Sequence, residues 1–220
     1  MEYKDALSLC ATICTIGLFL TGIQICMKIR SQGNTQNISV FPFVAAVVNT
    51  ILWTKYGVLT EDMTVILTNG VGIVLQILYI IVYYLNTNDK KDVHSKLLYA
   101  ALIVYPTLGA IKFVTMTTET AVHYIGLVAA CGSVVMYGSP LSVVSQVVRT
   151  KSTESLPFSL SFAGFVVSIQ WFLYGRVVQD SFIQLPNFLG MLLGALQLAL
   201  FVWYPSSSRK YDLSGPSSII

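Results

Sequence analysis

Residues 53–72 read WTKYGVLTEDMTVILTNGVG, and residues 171–190 read WFLYGRVVQDSFIQLPNFLG. The tryptophan, tyrosine, first glycine, aspartate, asparagine and last glycine of the first stretch recur in the second without a gap, at a constant offset of 118 residues. Upstream, Asn34-Thr35-Gln36 parallels Ser152-Thr153-Glu154. Pro42-Phe43 then parallels Pro157-Phe158 when a gap of three residues is allowed in the second repeat. Tryptophan is a rare residue, so this pattern indicates a duplication of the chain rather than chance agreement.

The composition of the chain is typical of a membrane protein. Of the 220 residues, 55% are hydrophobic and only 10% are charged, whereas a soluble domain carries about 25% charged residues. The net charge is only +3 and the basic residues are scattered, which argues against a nucleic-acid partner. The four cysteines lie in apolar runs without the spacing of a metal site, and we expect neither a metal nor a cofactor.

Seven apolar stretches are long enough, or nearly so, to cross a bilayer, which takes about 20 residues. Their backbone must be helical, because hydrocarbon offers no partner for an open hydrogen-bonding group. The first stretch has 21 uncharged residues, which exceeds the apolar core of a signal peptide and predicts a retained span. The predicted spans are 6–26, 38–54, 63–85, 97–118, 122–148, 155–175 and 181–208.

Each copy of the repeat holds three spans, so each copy ends on the side opposite to the one where it began. The extra span between the copies restores the direction and makes the two copies parallel, which is a known transporter design. We therefore predict an all-α membrane protein whose seven transmembrane helices form two parallel three-helix bundles joined by a linker helix (3+1+3). The predicted units are residues 1–88, the linker helix 89–119, residues 120–205, and a disordered cytosolic tail, 206–220.

The distribution of basic residues predicts the orientation. With the loop between the first two spans in the cytosol, nine lysines and arginines lie on the cytosolic side and four on the other. Short loops with more Lys and Arg stay in the cytosol, so we expect an outside N-terminus and a cytosolic C-terminus. This topology leaves the sequon Asn37-Ile38-Ser39 in the cytosol without a glycan. We expect the plasma membrane, with the Golgi or another endomembrane as the alternative.

Two tryptophans and two asparagines occupy matching positions in the two repeats and predict a binding site. Indole faces cover the apolar face of a pyranose, and amides both donate to and accept from its hydroxyls. The asparagines could instead join helices through hydrogen bonds, and the tryptophans could belong to an interfacial belt. The predicted substrate-binding residues are Asn69, Asn187, Trp53, Trp171, Gly72 and Gly190.

A tyrosine and an aspartate lie at the outer end of the spans in each repeat. Tyr56 with Asp62, and Tyr174 with Asp180, are predicted to close an external gate through hydroxyl–carboxylate hydrogen bonds. Simple solvation of these loops is the alternative interpretation.

Pro42, Pro140 and Pro157 begin or interrupt spans on the cytosolic half and are candidate hinges, with ordinary kinks as the alternative. No acidic residue or histidine is placed deep in a predicted span. Carriers coupled to protons or sodium usually need such groups. The sequence therefore favours transport down a gradient without a coupling ion.

At these residues the sequence closely resembles the SWEET sugar transporters in their animal form, from about residue 7 to residue 204. The motifs that carry the resemblance are the paired W-x2-Y-G and N-x2-G patterns, the two Pro-Phe span starts, and Tyr137-Gly138-Ser139-Pro140-Leu141-Ser142. The resemblance implies two three-helix bundles with an inversion linker, homo-oligomers, and movement of mono- or disaccharides by alternating access. For animal members it implies glucose.

The resemblance also assigns roles to single residues. It implies substrate contacts for Asn69, Asn187 and Trp171, an external gate formed by Tyr174 and Asp180 with Tyr56 as partner, and hinges at Pro42, Pro140 and Pro157. The fourth hinge position of the family is Gly22 here, which permits a bend but lacks the fixed φ of proline. Trp53 stands where many plant members carry a smaller residue, which favours a monosaccharide over sucrose.

Three other classes of protein are weighed against this interpretation. A seven-span receptor would have no duplication. An amino-acid exporter of the proline-glutamine-loop type would carry Pro-Gln where this chain has Pro42-Phe43 and Pro157-Phe158. A membrane enzyme would need a cluster of Ser, His and Asp, or of metal ligands, in mid-span, and the sequence places none there.

Overall fold

The computed structural model describes residues 3–114 and 117–204. Within these ranges the chain is helical and has no strand. Seven segments are long and apolar enough to cross a membrane, which confirms the predicted number of spans. The helices are α1 Tyr3–Leu20, α2 Gly22–Gln32, α3 Phe41–Thr60, α4 Met63–Asn86, α5 Lys90–Phe113, α6 Thr118–Met136, α7 Gly138–Thr150, α8 Phe158–Val177 and α9 Ser181–Trp203.

The first and fifth spans differ from the prediction because each consists of two helices. The break between α1 and α2 lies at Thr21, and the break between α6 and α7 lies at Tyr137. The linker span also begins earlier than predicted, at Lys90 instead of residue 97, because the side chain of Asp89 accepts a hydrogen bond from the Asp92 N–H and caps the helix. The predicted tail, 206–220, lies outside the described residues.

The loops that lead into α4 and α9 have the same shape in the two repeats. Glu61 and Gln179 both adopt a positive φ, and each is followed by the aspartate that caps the next helix. One carboxylate oxygen of Asp62 accepts two backbone N–H groups at 2.9 and 3.1 Å, and one of Asp180 does the same at 2.9 and 3.1 Å. These caps fix the direction of both carboxylates.

The helices pack as two bundles with the linker helix α5 beside α3. In the first repeat, α4 packs on α1, α2 and α3; in the second, α9 packs on α6, α7 and α8. The repeats meet through α1 against α8 and through α3 against α6. The second halves of the broken spans, α2 and α7, pack on their own repeats. The largest buried cluster lies between the bundles, around Trp53, Tyr56, Trp171 and Tyr174.

Candidate functional site

A cavity of about 320 Å³ lies between the two repeats in the middle of the bundle. With the exception of Ala46 and Thr50, its lining residues form pairs at the offset of 118, so the two walls are related by the duplication. The paired residues are Thr15 and Ser133, Leu18 and Met136, Phe19 and Tyr137, Asn49 and Val167, Trp53 and Trp171, Val65 and Ile183, Thr68 and Pro186, and Asn69 and Asn187.

The two indoles are held by hydroxyl groups of the opposite repeat. Trp53 Nε1 donates to Ser133 Oγ at 3.0 Å, and Trp171 Nε1 donates to Thr15 Oγ1 at 2.8 Å. Both tryptophans are only 8% exposed. These positions are inside the bundle, so neither side chain belongs to an interfacial belt.

The two predicted asparagines lie on the cavity wall in equivalent positions. Asn69 Nδ2 donates to the Val65 carbonyl at 2.9 Å, and Asn187 Nδ2 donates to the Ile183 carbonyl at 2.7 Å, each within its own helix. Within the described part of the chain, no other helix supplies a hydrogen bond to either amide. The structure therefore does not show the interhelical bonds of the alternative interpretation, and both Oδ1 atoms are available to a bound hydroxyl.

Gly72 and Gly190 lie one layer behind the wall instead of on it. A Cβ at Gly72 would lie 2.7 Å from the ring of Phe19, and one at Gly190 would lie 2.7 Å from Ser168 Oγ and also crowd the hydroxyl of Tyr137. The glycines therefore make room for Phe19 and Tyr137, which are the residues that line the cavity. Their predicted role in binding is indirect in this geometry.

Among the lining residues that the sequence analysis missed, Asn49 is an amide. Its Oδ1 accepts a hydrogen bond from Ser133 Oγ at 3.2 Å, and it lies one turn before Trp53 on the same face of α3. Its counterpart in the second repeat is Val167, so a search for repeated residues could not find it. The available signal was a single amide in the middle of an apolar span.

Two tyrosine–aspartate pairs close the cavity at the end of the bundle that holds the N-terminus. Tyr56 donates to Asp180 Oδ2 at 2.6 Å, and Tyr174 donates to both carboxylate oxygens of Asp62 at 2.9 Å. The predicted pairing within each repeat is therefore wrong. Each tyrosine binds the aspartate of the other repeat across the interface, and that aspartate also caps the next helix of its own repeat.

The tyrosine–aspartate layer separates two voids. The central cavity lies on one side, and a depression of about 420 Å³ lies on the other, lined in part by Tyr56, Asp62, Asp180 and His123. Tyr56 and Tyr174 are almost fully buried, at 2% and 1% exposed. Breaking both tyrosine–aspartate pairs would be needed to connect the depression with the cavity from this end.

The four predicted hinge residues all lie at helix starts. Pro42 is near the N-terminus of α3 and Pro157 immediately precedes α8. Pro140 is in the first turn of α7, and Gly22 is the first residue of α2. The prolines are thus placed where a missing N–H costs least, and the structure does not test their role as hinges.

Two like bundles that run parallel, with a mainly apolar cavity of small-molecule size between them that also holds amide and hydroxyl groups, define a membrane transporter of the parallel-repeat class. A family described as "Sugar efflux transporter for intercellular exchange" matches the chain twice, over residues 5–91 and 123–209. The two matches start and end 118 residues apart. The chain therefore belongs to the SWEET family of sugar transporters, whose members are not enzymes.

Individual relatives agree with this assignment. The "Sugar transporter SWEET1" of Drosophila pseudoobscura pseudoobscura is 36% identical over 93% of this chain and 91% of its own length, and that of Rattus norvegicus is 36% identical over 94% of both. The "Bidirectional sugar transporter SWEET2" of Arabidopsis thaliana is 32% identical over 97% and 92%. A solved eukaryotic SWEET transporter superposes with a TM-score of 0.84 at 28% identity, over 91% of this chain and 96% of that one.

Proposed function

We propose that the chain is a facilitative, bidirectional carrier that moves a monosaccharide such as glucose by alternating access, without a coupling ion. The observation that carries the proposal is the position of Asn69 and Asn187 on one cavity between two buried indoles. Amide groups next to indole faces suit a ring that is apolar on its faces and polar at its edge.

The size of the cavity supports a single sugar ring. Its volume of about 320 Å³ is at the lower end of the range of small-molecule sites, about 300–1,000 Å³. Trp53 and Trp171 line it together, so both indoles narrow it. A disaccharide would have to displace one of them from its hydroxyl partner in the other repeat.

The charge of the cavity supports transport without a coupling ion. Within the described residues, the lining includes neutral side chains only, and the nearest acidic groups are the aspartates of the closed end. Carriers that use a proton or sodium gradient usually hold an ionisable group inside the membrane.

The placement in the cell is part of the same proposal. We place the N-terminus outside, the C-terminus in the cytosol and the protein in the plasma membrane, because nine of the basic residues then face the cytosol. In this orientation the tyrosine–aspartate layer is the external gate, and it is closed. Homo-oligomers are proposed from the family resemblance, and crosslinking of the protein in native membranes tests them.

The test is uptake of labelled sugars by cells that lack other hexose carriers. We expect saturable uptake of a hexose, efflux from preloaded cells at a comparable rate, and weaker uptake of sucrose. Collapsing the pH gradient should leave uptake unchanged. Uptake of an amino acid in place of any sugar, or a steep dependence on the proton gradient, would overturn the proposal.

A further inference from the structure

The first and fifth spans each break once, but proline explains only one of the two breaks. Pro140 lies in the first turn of α7, and its ring and missing N–H prevent an unbroken helix through this region. The break between α1 and α2, at Thr21, contains no proline. A break in a helix without proline needs another cause, such as a side chain that enters the backbone hydrogen-bond ladder.

The backbone at the first break is tightened, and one of its carbonyls is bound from another helix. The Thr21 N–H donates to the Leu18 carbonyl and the Gln24 N–H to the Thr21 carbonyl, both at 3.1 Å and with the spacing of a 3₁₀ turn. The Thr21 hydroxyl also donates to the Leu18 carbonyl, at 2.7 Å. The hydroxyl of Tyr79, on α4, donates to the Phe19 carbonyl at 3.1 Å. This bond supplies a partner to a carbonyl at the end of α1, where intrahelical donors run out.

Gly22 provides the space for this contact. A Cβ at position 22 would overlap the ring of Tyr79. Phe43 also packs against the ring, with centroids 5.6 Å apart, and Tyr79 is only 4% exposed. The glycine is therefore required for close approach, and the buried ring has its hydroxyl directed at the break.

The same contact connects the break to the cavity. Phe19 lines the cavity with its ring and packs over Gly72, while its carbonyl is held by Tyr79. Asn69, Gly72 and Tyr79 follow one another at i, i+3 and i+10 and lie on one stripe of α4. One face of α4 therefore carries both an amide of the cavity and the hydroxyl that binds the break.

The second repeat has a different arrangement at the matching positions. At the offset of 118 it has Pro140 in place of Gly22 and Gln197 in place of Tyr79. Tyr79 belongs to a buried cluster of the first repeat that includes Cys26 and Ile29 of α2, and Val40 and Phe43 at the start of α3. The first break is thus fixed by packing and a hydroxyl, and the second by the proline ring.

We propose that Tyr79 is a positioning residue for transport: its hydrogen bond to Phe19 maintains the break between α1 and α2, as Pro140 does for the break between α6 and α7. The proposal rests on the proposed function in one respect, that the geometry of this break changes during the transport cycle. A hydrogen bond of ordinary net strength changes the ratio of two conformations by about fivefold. Tyr79→Phe removes this bond and leaves the ring and every cavity residue in place.

Tyr83→Phe is the matched control. Tyr83 lies one turn farther along α4, is similarly buried, and donates its hydroxyl to the Ile38 carbonyl at 3.0 Å in the loop before α3. The control therefore loses the same kind of bond from the same helix, but away from the break. Any general effect of a lost tyrosine hydroxyl on folding will appear in both variants.

Spin labels at Met27 on α2 and Phe162 on α8, both exposed positions, measure the opening between the repeats in the full-length protein in lipid nanodiscs. We expect Tyr79→Phe to change the ratio of the populations with the short and the long label distance by about fivefold. Tyr83→Phe should match the wild type. Equal distributions in all three proteins, or equal changes in both variants, would overturn the proposal. If Tyr79→Phe is not recovered from membranes, Gly22→Ala must produce the change, because it displaces the ring.

Sugar uptake provides a second, separate measurement. We expect Tyr79→Phe to change the maximal rate while the ranking of sugars stays that of the wild type, because Tyr79 does not line the cavity. An altered ranking would mean that Tyr79 acts on the site itself and would contradict the proposal. If the wild type carries no sugar, the proposed function fails, and the label distances still decide the role of Tyr79.

Discussion

The side chains of Asn69 and Asn187 each use one N–H within their own helix, at 2.9 and 2.7 Å. This bond restrains the amide on the cavity wall and leaves the oxygen and the second N–H free for a ligand. A group oriented in this way pays little entropy when it binds a hydroxyl. The same amides placed against another helix would be structural.

The first prediction concerns these two amides. Asn69→Ala and Asn187→Ala should each lower the efficiency of hexose uptake by about tenfold or more, because the sugar hydroxyl loses its partner in a site that excludes water. Uptake should be normalised to protein at the cell surface. Normal uptake by both variants would remove these residues from the site.

Asn49 distinguishes the two walls of the cavity, since its counterpart is Val167. We expect Asn49→Val to weaken uptake by about fivefold, the usual effect of one lost hydrogen bond, and to reduce discrimination between glucose and one of its deoxy analogues. The double variant Asn49→Val/Val167→Asn moves the amide to the equivalent place on the opposite wall. It should recover discrimination, because the sugar can bind in the orientation rotated about the axis that relates the repeats. An unchanged analogue profile in Asn49→Val would show that Asn49 does not contact sugar.

At the scale of helices and loops, the closed end depends on hydrogen bonds between the two repeats at the N-termini of α4 and α9. Asp62 and Asp180 cap these helices with one oxygen and receive a tyrosine hydroxyl of the other repeat. A hydrogen bond to a charged group is stronger than a neutral one. Each cap therefore also joins the repeats, and opening this end requires both tyrosines to leave.

A double-mutant cycle tests which tyrosine is bonded to which aspartate. The uptake defects of Tyr56→Phe and Asp180→Asn should not add in full, because the first removes and the second weakens the same charge-assisted hydrogen bond. The defects of Tyr56→Phe and Asp62→Asn should add, because Tyr56 and Asp62 belong to different pairs. Additivity in the first cycle and coupling in the second would support the pairing within repeats and contradict the structure.

At the scale of the whole molecule, the distribution of charge predicts the direction of the bundle in the membrane. Glu61 lies in the loop between α3 and α4, at the closed end, and Asn88 lies between α4 and α5, at the opposite end. Both side chains are exposed. They are convenient positions for testing which end faces the cytosol.

In a protein without its four cysteines, Glu61→Cys should react with an impermeant maleimide on intact cells. Asn88→Cys should react only after permeabilisation, because its loop carries the lysines that the positive-inside rule retains in the cytosol. The sequon at Asn37 should carry no glycan in the wild type. The reverse labelling pattern, or a glycan at Asn37, would show that the orientation is inverted.

The seven spans, the parallel repeats and the matched tryptophans and asparagines could all be predicted from the sequence. These are properties of continuous apolar length and of a constant offset, and both can be read along one chain. The tertiary structure alone decided the tyrosine–aspartate pairs, the hydroxyl partners of the indoles, and the places of Asn49 and Tyr79. Most of these bonds join residues 80–156 positions apart, from opposite repeats. They depend on how two bundles face each other, which no local pattern specifies.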